Sequence, residues 1–261
     1  MSFVLTERLG HDLHVKLNRP TIHNAFNLDI IKELIFLFSK KNLPKDVRVI
    51  VLSGEGPSFC AGGDLEWMKS MVKYTNKQNL KDAEQLYEMF DTIFQCPVPV
   101  IGRVHGNVRG GGLGLASVCD IVVAESNTLF GFSEAHLGLV PSVICPFVAR
   151  KMSEASLREL MVTGKIFSAQ RAYDSGLVHF VGDKNNIEKF IVDTISSIHK
   201  CGPEAIQITK SLIDFIFTNP LSKAKTKTAR IIAERRVSSE GQEGMRAFLE
   251  KRPPTWRISD L

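Results

Sequence analysis

No apolar run in this 261-residue chain reaches the roughly 18 residues that a membrane-spanning helix needs. A helical membrane protein is therefore not expected. No Cys-x-x-Cys pair occurs. The five cysteines (Cys60, Cys96, Cys119, Cys145 and Cys201) are odd in number and widely spaced. That pattern points away from a zinc site or a disulfide framework and toward reduced thiols in a cytoplasmic protein. No Lys/Arg block is interleaved with aromatics, so a nucleic-acid partner has no motif behind it. Internal repeats and low-complexity linkers are also missing. The opening MSFVLTERLGHD carries Glu7, Arg8 and Asp12 before any long apolar stretch, which does not read as a signal peptide.

The composition is that of an ordinary globular chain, 44% hydrophobic and 23% charged. Its length suits one large domain, or one domain with a small appendage. The formal charge of +5 is mild. It is compatible with a polyanionic small ligand and equally with a mixed solvated surface.

FVLTERLGHDLHVKLNRP alternates on both sides of a Gly-His-Asp turn, which predicts a hairpin. Leu28, Ile31, Leu34, Ile35 and Phe38 recur at helical spacing behind Asn27, a suitable N-cap. VRVIVLSGEG reads as a short buried strand, NLKDAEQLYEMFDTIFQC as a helix and PVPVIGRVHG as extended chain. CDIVVAESNTLFGF reads as further short strands. Alternation of strand and helix to about residue 150 predicts an α/β fold with buried parallel strands. Beyond about residue 153 the chain reads as mostly helical. A boundary is expected between residues 1–199, the core, and 200–261, a helical region suited to oligomerisation.

The most concentrated signal is VHGNVRGGGLGLASVCD, residues 104–120. Ordered glycine carries an entropic cost, so four glycines together imply a close approach to the main chain. Three uses compete. A nucleotide fingerprint fails on spacing: reading from Gly112, the third glycine position is Ser117. Packing against a neighbouring helix is the plain alternative. The third use is an oxyanion hole, because a helix N-terminus offers free N–H groups and partial positive charge. A second donor is available in GPSFCAGGDLEWM, residues 56–68, which follows a strand and carries Gly62 and Gly63. Two such strand ends can converge at the carboxyl edge of a sheet.

SFCAGGDL, then HGNVRGGGLGLASVCDIVVA, then FGFSEAHLGLVP resemble, in order and spacing, the enoyl-CoA hydratase/isomerase (crotonase) superfamily. The likeness runs from LNRPTIHNAF to RAFLEKR. GGDLEWM, GLVPSVICPFV and VSSEGQEGMRAFLEKRPPTW look most like the bacterial methylglutaconyl-CoA and isohexenylglutaconyl-CoA hydratases. The resemblance implies a spiral of ββα units with a helical C-terminal trimerisation region, and trimers that pair into hexamers. It implies an acyl thioester of coenzyme A as substrate, with no permanently bound cofactor and no metal. Leucine or isoprenoid breakdown would be the setting.

Residue roles carry over on the same footing. The main-chain N–H groups of Gly63 and Gly111 would be the oxyanion donors. Glu134 would be the working carboxylate. His23 would lie near the coenzyme phosphates, and the carbonyls around Cys60 and Ala61 would receive the adenine amino group. Asp64 and Leu65 flank Gly63 in the same cofactor-binding stretch. Phe248 and Lys251 would approach the nucleotide from a neighbouring subunit. Trp67, Met68 and Met71 fall on a helix that would flank the acyl chain, or would serve as ordinary core.

One position departs from the family. Its hydratases carry a second glutamate two residues after the triple glycine, where this chain has Gly114. One carboxylate still allows hydration, with isomerisation between Δ3 and Δ2 as the alternative. A non-catalytic acyl-CoA scaffold also remains open. The distal carboxylate of a glutaconyl substrate would lie near Gly114, where a second glutamate would repel it; Arg109 or His105 would then be its partner, the plainer alternative being that both face solvent or a subunit contact. Asp120 reads as a cap or turn residue.

Overall fold

The computed structural model describes residues 2–258. They fall into two compact units, one of residues 1–96 with 100–191 and one of 97–99 with 192–261.

The first unit is built on two sheets. β1 (Val4–Leu9) and β2 (Asp12–Leu17) form the expected antiparallel hairpin about Gly10 and His11. β2 continues parallel to β3 (Val49–Gly54), which pairs with β4 (Val100–Val104). β5 (Asn107–Arg109) leaves this sheet for a second one. β6 (Ile121–Glu125) returns to the first sheet, and β7 (Leu129–Gly131) again joins the second. β8 (Ile166–Ser168) closes the second sheet antiparallel to β7, and β9 (Phe180–Gly182) completes the first beside β6. The six-stranded sheet is thus ordered β1-β2-β3-β4-β6-β9, with every pair after the hairpin parallel. Residues 49–52 of β3 are all buried, as expected of a parallel strand covered on both faces.

The helices connect these strands. α1 (Leu28–Phe38) starts where Asn27 accepts the amides of Asp29 and Ile30, and it buries Ile30, Ile31, Leu34 and Phe38. α2 (Leu65–Met71) follows β3, capped by Asp64. α3 (Asn76–Phe94) opens with a reciprocal Thr75–Gln78 capping box. α4 (Gly111–Val118) follows β5, and all of it beyond Gly111 is buried. α5 (Cys145–Val148), α6 (Glu154–Thr163) and α7 (Ala169–Asp174) complete the unit up to α8 (Lys184–His199).

The second unit is helical. α9 (Pro203–Thr218), α10 (Ala224–Val237) and α11 (Ser239–Leu249) pack as successive helices. Ser238 ends α10 and caps α11 by accepting the Gly241 amide. Arg235 ties the corner through Glu204 at 2.5 Å and Glu240 at 3.1 Å. Among the described residues no helix is long and apolar enough to cross a membrane.

The alternation between sheets sets up everything that follows. Three successive turns of chain each place one segment in the first sheet and the next in the second. The first turn contributes only a single bridge to the second sheet, Cys60 against Val108. The next two turns contribute β5 and β7, with Val108 opposite Phe130. Cys60, Val108 and Phe130 therefore form one row across the second sheet. Gly63, Gly111 and Glu134 stand three, three and four residues beyond that row. Parallel register converts these similar offsets into nearness in space.

Candidate active site

A cavity of about 180 Å³ lies at the ends of those three turns. Phe26, Gly63, Gly111, Glu134, Trp67 and Met68 line one part of it, and Met71, Leu86 and residues 140–144 line the rest. Glu134 and Ser142 are the polar side chains of a lining that is otherwise apolar or glycine.

The two glycine loops abut. Gly62 has φ +95°, and a Cβ there would sit 3.1 Å from the Arg109 carbonyl and 3.6 Å from the Gly111 nitrogen. Gly110 has φ +46°, and a Cβ there would sit 3.2 Å from Glu134 Oε1. Both positions combine a left-handed conformation with close packing, which only glycine meets without strain. The glycine cluster is thus explained by three chain segments meeting at one point.

The main-chain donors follow from this packing. Phe26 N–H donates to the Gly62 carbonyl at 2.9 Å, and Asp64 N–H donates to the Phe26 carbonyl at 3.0 Å. These two bonds flank Gly63, so its own N–H points to the opposite edge of the chain. Gly111 is the first residue of α4, where an N–H has no partner within the helix. Among the described residues, neither N–H donates to any protein acceptor. Two free main-chain donors thus reach the cavity that Glu134 also lines.

Glu134 opens a short 3-10 helix, Glu134–Leu137. Its Oε2 is buried and has no hydrogen-bond partner among the described residues. Burial raises its carboxyl pKa above the ordinary 4.5, outweighing a bond from its own amide. A carboxylate in that state is a base awaiting a proton donor.

Of the other predicted residues, Trp67, Met68 and Met71 line the cavity. Trp67 is anchored by its indole N–H, which donates to Asp82 at 3.1 Å. His23 is exposed, in left-handed conformation, with Nδ1 2.9 Å from Ser58 Oγ. Its carbonyl accepts the Ala61 amide. Cys60 is fully buried, and its carbonyl accepts the Arg109 amide at 3.0 Å. Burial pushes the Cys60 thiol up to about 12, so this cysteine is inert. Asp64 is buried and held by Arg19 at 2.6 Å. Burial opposes its charge, but the Glu66 amide and Arg19 outweigh that and hold its carboxyl below the ordinary value. Leu65 is 72% exposed. Phe248 and Lys251 belong to the C-terminal unit, with Phe248 exposed and Lys251 in left-handed conformation.

Three expectations change. Gly114 leaves no room for a distal carboxylate: a Cβ there would lie 2.5 Å from Ile144 Cγ2 and 2.7 Å from Phe90 Cζ. An isoleucine and a phenylalanine fill that space. Arg109 does not face the cavity, since it donates to the Phe130 carbonyl at 2.7 Å and to Asn107 at 3.2 Å. His105 places Nε2 2.8 Å from the Gly56 carbonyl and does not line the cavity either. Asp120 is a turn residue as expected, accepting the Val100 amide at 2.7 Å. The sequence reading missed Phe26, Leu86 and residues 140–144. Their contacts are tertiary, and no motif marks them.

Comparison with known proteins bears on the family and the fold. A family model described as enoyl-CoA hydratase/isomerase matches residues 13–258. The enoyl-CoA hydratase ACTT6 of Alternaria alternata is 31% identical over 243 residues, which cover 90% of this chain and 78% of that one. Among solved structures, Pseudomonas aeruginosa AtuE superposes with a TM-score of 0.95 at 32% identity, covering 98% of this chain and 100% of that one. An enoyl-CoA hydratase from Shewanella pealeana gives 0.93 at 32% identity, covering 98% and 96%.

Proposed function

The chain belongs to the enoyl-CoA hydratase/isomerase family and has the crotonase fold, and from that premise we propose that it adds water reversibly across the α,β double bond of an enoyl-CoA thioester. The observation that carries this reading is the convergence on a single cavity of two free N–H groups and a carboxylate whose buried Oε2 has no hydrogen-bond partner among the described residues.

Each group has one task. The N–H groups of Gly63 and Gly111 hold the thioester oxygen. That oxygen gains charge as the enolate forms, so fixed donors favour the transition state over the ground state. Glu134 takes a proton from water as the water oxygen bonds to C3. The enolate then collects that proton from Glu134 at C2. One water is added, and the carboxylate is regenerated. Coenzyme A enters as part of the substrate.

The second reading is a Δ3-Δ2 isomerase, favoured by the apolar filling beside Gly114. There Glu134 would move a proton between C2 and C4 with no change in mass. Mass spectrometry separates the two on one sample: hydration adds about 18 Da and removes the enoyl absorbance, whereas isomerisation leaves the mass unchanged. Methylglutaconyl-CoA remains a substrate to try within this proposal. Among the described residues, no basic side chain lines the cavity to meet its distal carboxylate.

The C-terminal unit leaves Phe217, Val237, Phe248 and Leu249 more than 75% exposed. Exposed apolar surface of this kind supports assembly as a trimer or pair of trimers.

Two expected results follow. Gly114→Glu will not install a second acid. Overpacking against Phe90 and Ile144 costs about 1–3 kcal/mol, and an unpaired buried charge adds to it. Chemical denaturation should show a lower midpoint with no gain in turnover. The pH profile is the other result. Glu134 must start ionised, and burial holds its pKa above 4.5. The acidic limb of kcat/KM should therefore have its midpoint above the ordinary carboxyl range.

A further inference from the structure

We propose that Phe26 is the positioning residue that sets the distance between the two main-chain donors; this rests on the oxyanion reading of Gly63 and Gly111. Phe26 touches both donors by different parts of itself. Its backbone clamps the first: the bonds to Gly62 and from Asp64 pair Phe26 with Gly63 and turn the Gly63 N–H outward. Its ring bears on the second. A Cβ on Gly111 would lie 2.2 Å from Phe26 Cζ and 2.8 Å from Cε1, so the tip of the ring rests against the glycine's own backbone. Phe26 thus bridges the two glycines, with its backbone on the Gly63 strand and its ring tip on Gly111.

The ring has little freedom to move away. Phe26 is 1% exposed. Trp67 lies beside it, ring centroids 6.1 Å apart. Trp67 also supports the other donor, since a Cβ on Gly63 would sit 3.7 Å from its Cε3. The indole is in turn fixed by Asp82. Gly111 is free of a side chain for the same reason: the phenylalanine ring occupies the place where one would project.

A shorter side chain at position 26 leaves Glu134 in place, trims one edge of the cavity lining and removes the spacer. A donor displaced by about 1 Å costs up to about a hundredfold in rate. The test compares wild type with Phe26→Leu and Phe26→Met, methionine retaining an unbranched chain if leucine destabilises the fold. Three readouts are taken on folded protein: kcat and KM with crotonyl-CoA, affinity for 2,4-hexadienoyl-CoA, and the red shift of the bound dienoyl absorbance. That shift reports polarisation of the thioester carbonyl by its donors. The proposal expects kcat to fall at least about tenfold, KM to hold, and the shift per bound ligand to shrink. An unchanged shift and kcat in both variants overturns it and leaves the proposed function standing. Loss of affinity with an undiminished shift per bound ligand also overturns it, since that is ordinary packing. No shift in wild type would remove the oxyanion reading itself.

Discussion

Glu134→Gln should lower hydration of crotonyl-CoA by about 10²- to 10⁴-fold, the range for loss of a positioned acid–base group. The amide keeps the shape of the side chain but can neither accept the water proton nor return it to C2. Stopped assays of product mass and enoyl absorbance measure the loss directly. Stability should move the other way, and its sign follows from burial. The folded-state pKa of Glu134 is raised above the unfolded value. Its contribution to stability is then fully present below the unfolded value and is lost as pH rises through the folded one. Wild type and Glu134→Gln should melt together at about pH 4, and the variant should melt higher at about pH 8. A variant that is inactive and less stable at the higher pH would make Glu134 a structural residue.

The second large effect is expected from Gly111→Ala. Short of proline, a substitution does not delete a main-chain N–H, but it can displace one. The new methyl would lie 2.2 Å from Phe26 Cζ, well inside contact distance, and the ring is buried against Trp67. Either the start of α4 shifts or the ring tilts, and in both cases one donor leaves its alignment. Loss of one oxyanion donor costs about 10²- to 10³-fold in kcat. Overpacking costs about 1–3 kcal/mol besides. Pairing the change with Phe26→Leu separates the two: the double variant should recover stability by denaturant titration but not turnover. Full recovery of turnover would mean that the Phe26 ring is not needed to hold the Gly111 N–H in position.

Much of this arrangement was readable in the amino acids. The hairpin about Gly10, the Asn27-capped helix and the strand 49–54 follow from spacing and capping alone. The glycine boxes marked the loops that form the site. β8 and β9 escaped notice because three residues are too few to display alternation. The part played by Gly114 was misjudged for a different reason. A glycine shows that something comes close, but not what. Here Phe90 from α3 and Ile144 from the loop before α5 close on it, and neither contact has a local signature. Arg109 was a candidate because it carries charge beside the glycines. Its charge is spent on the Phe130 carbonyl and Asn107.

The row formed by Cys60, Val108 and Phe130 acts as a common origin from which the chemistry is measured. A residue gained or lost within α3 changes the length of a return path and leaves that origin in place. A residue gained between Val108 and Gly111 rotates the first N–H of α4 away from the cavity, and no adjustment elsewhere restores it. The chain is therefore tolerant of length over its helical returns and intolerant across three short intervals, 60–63, 108–111 and 130–134. The geometry of the proposed site is stored in this protein as three counts from one line.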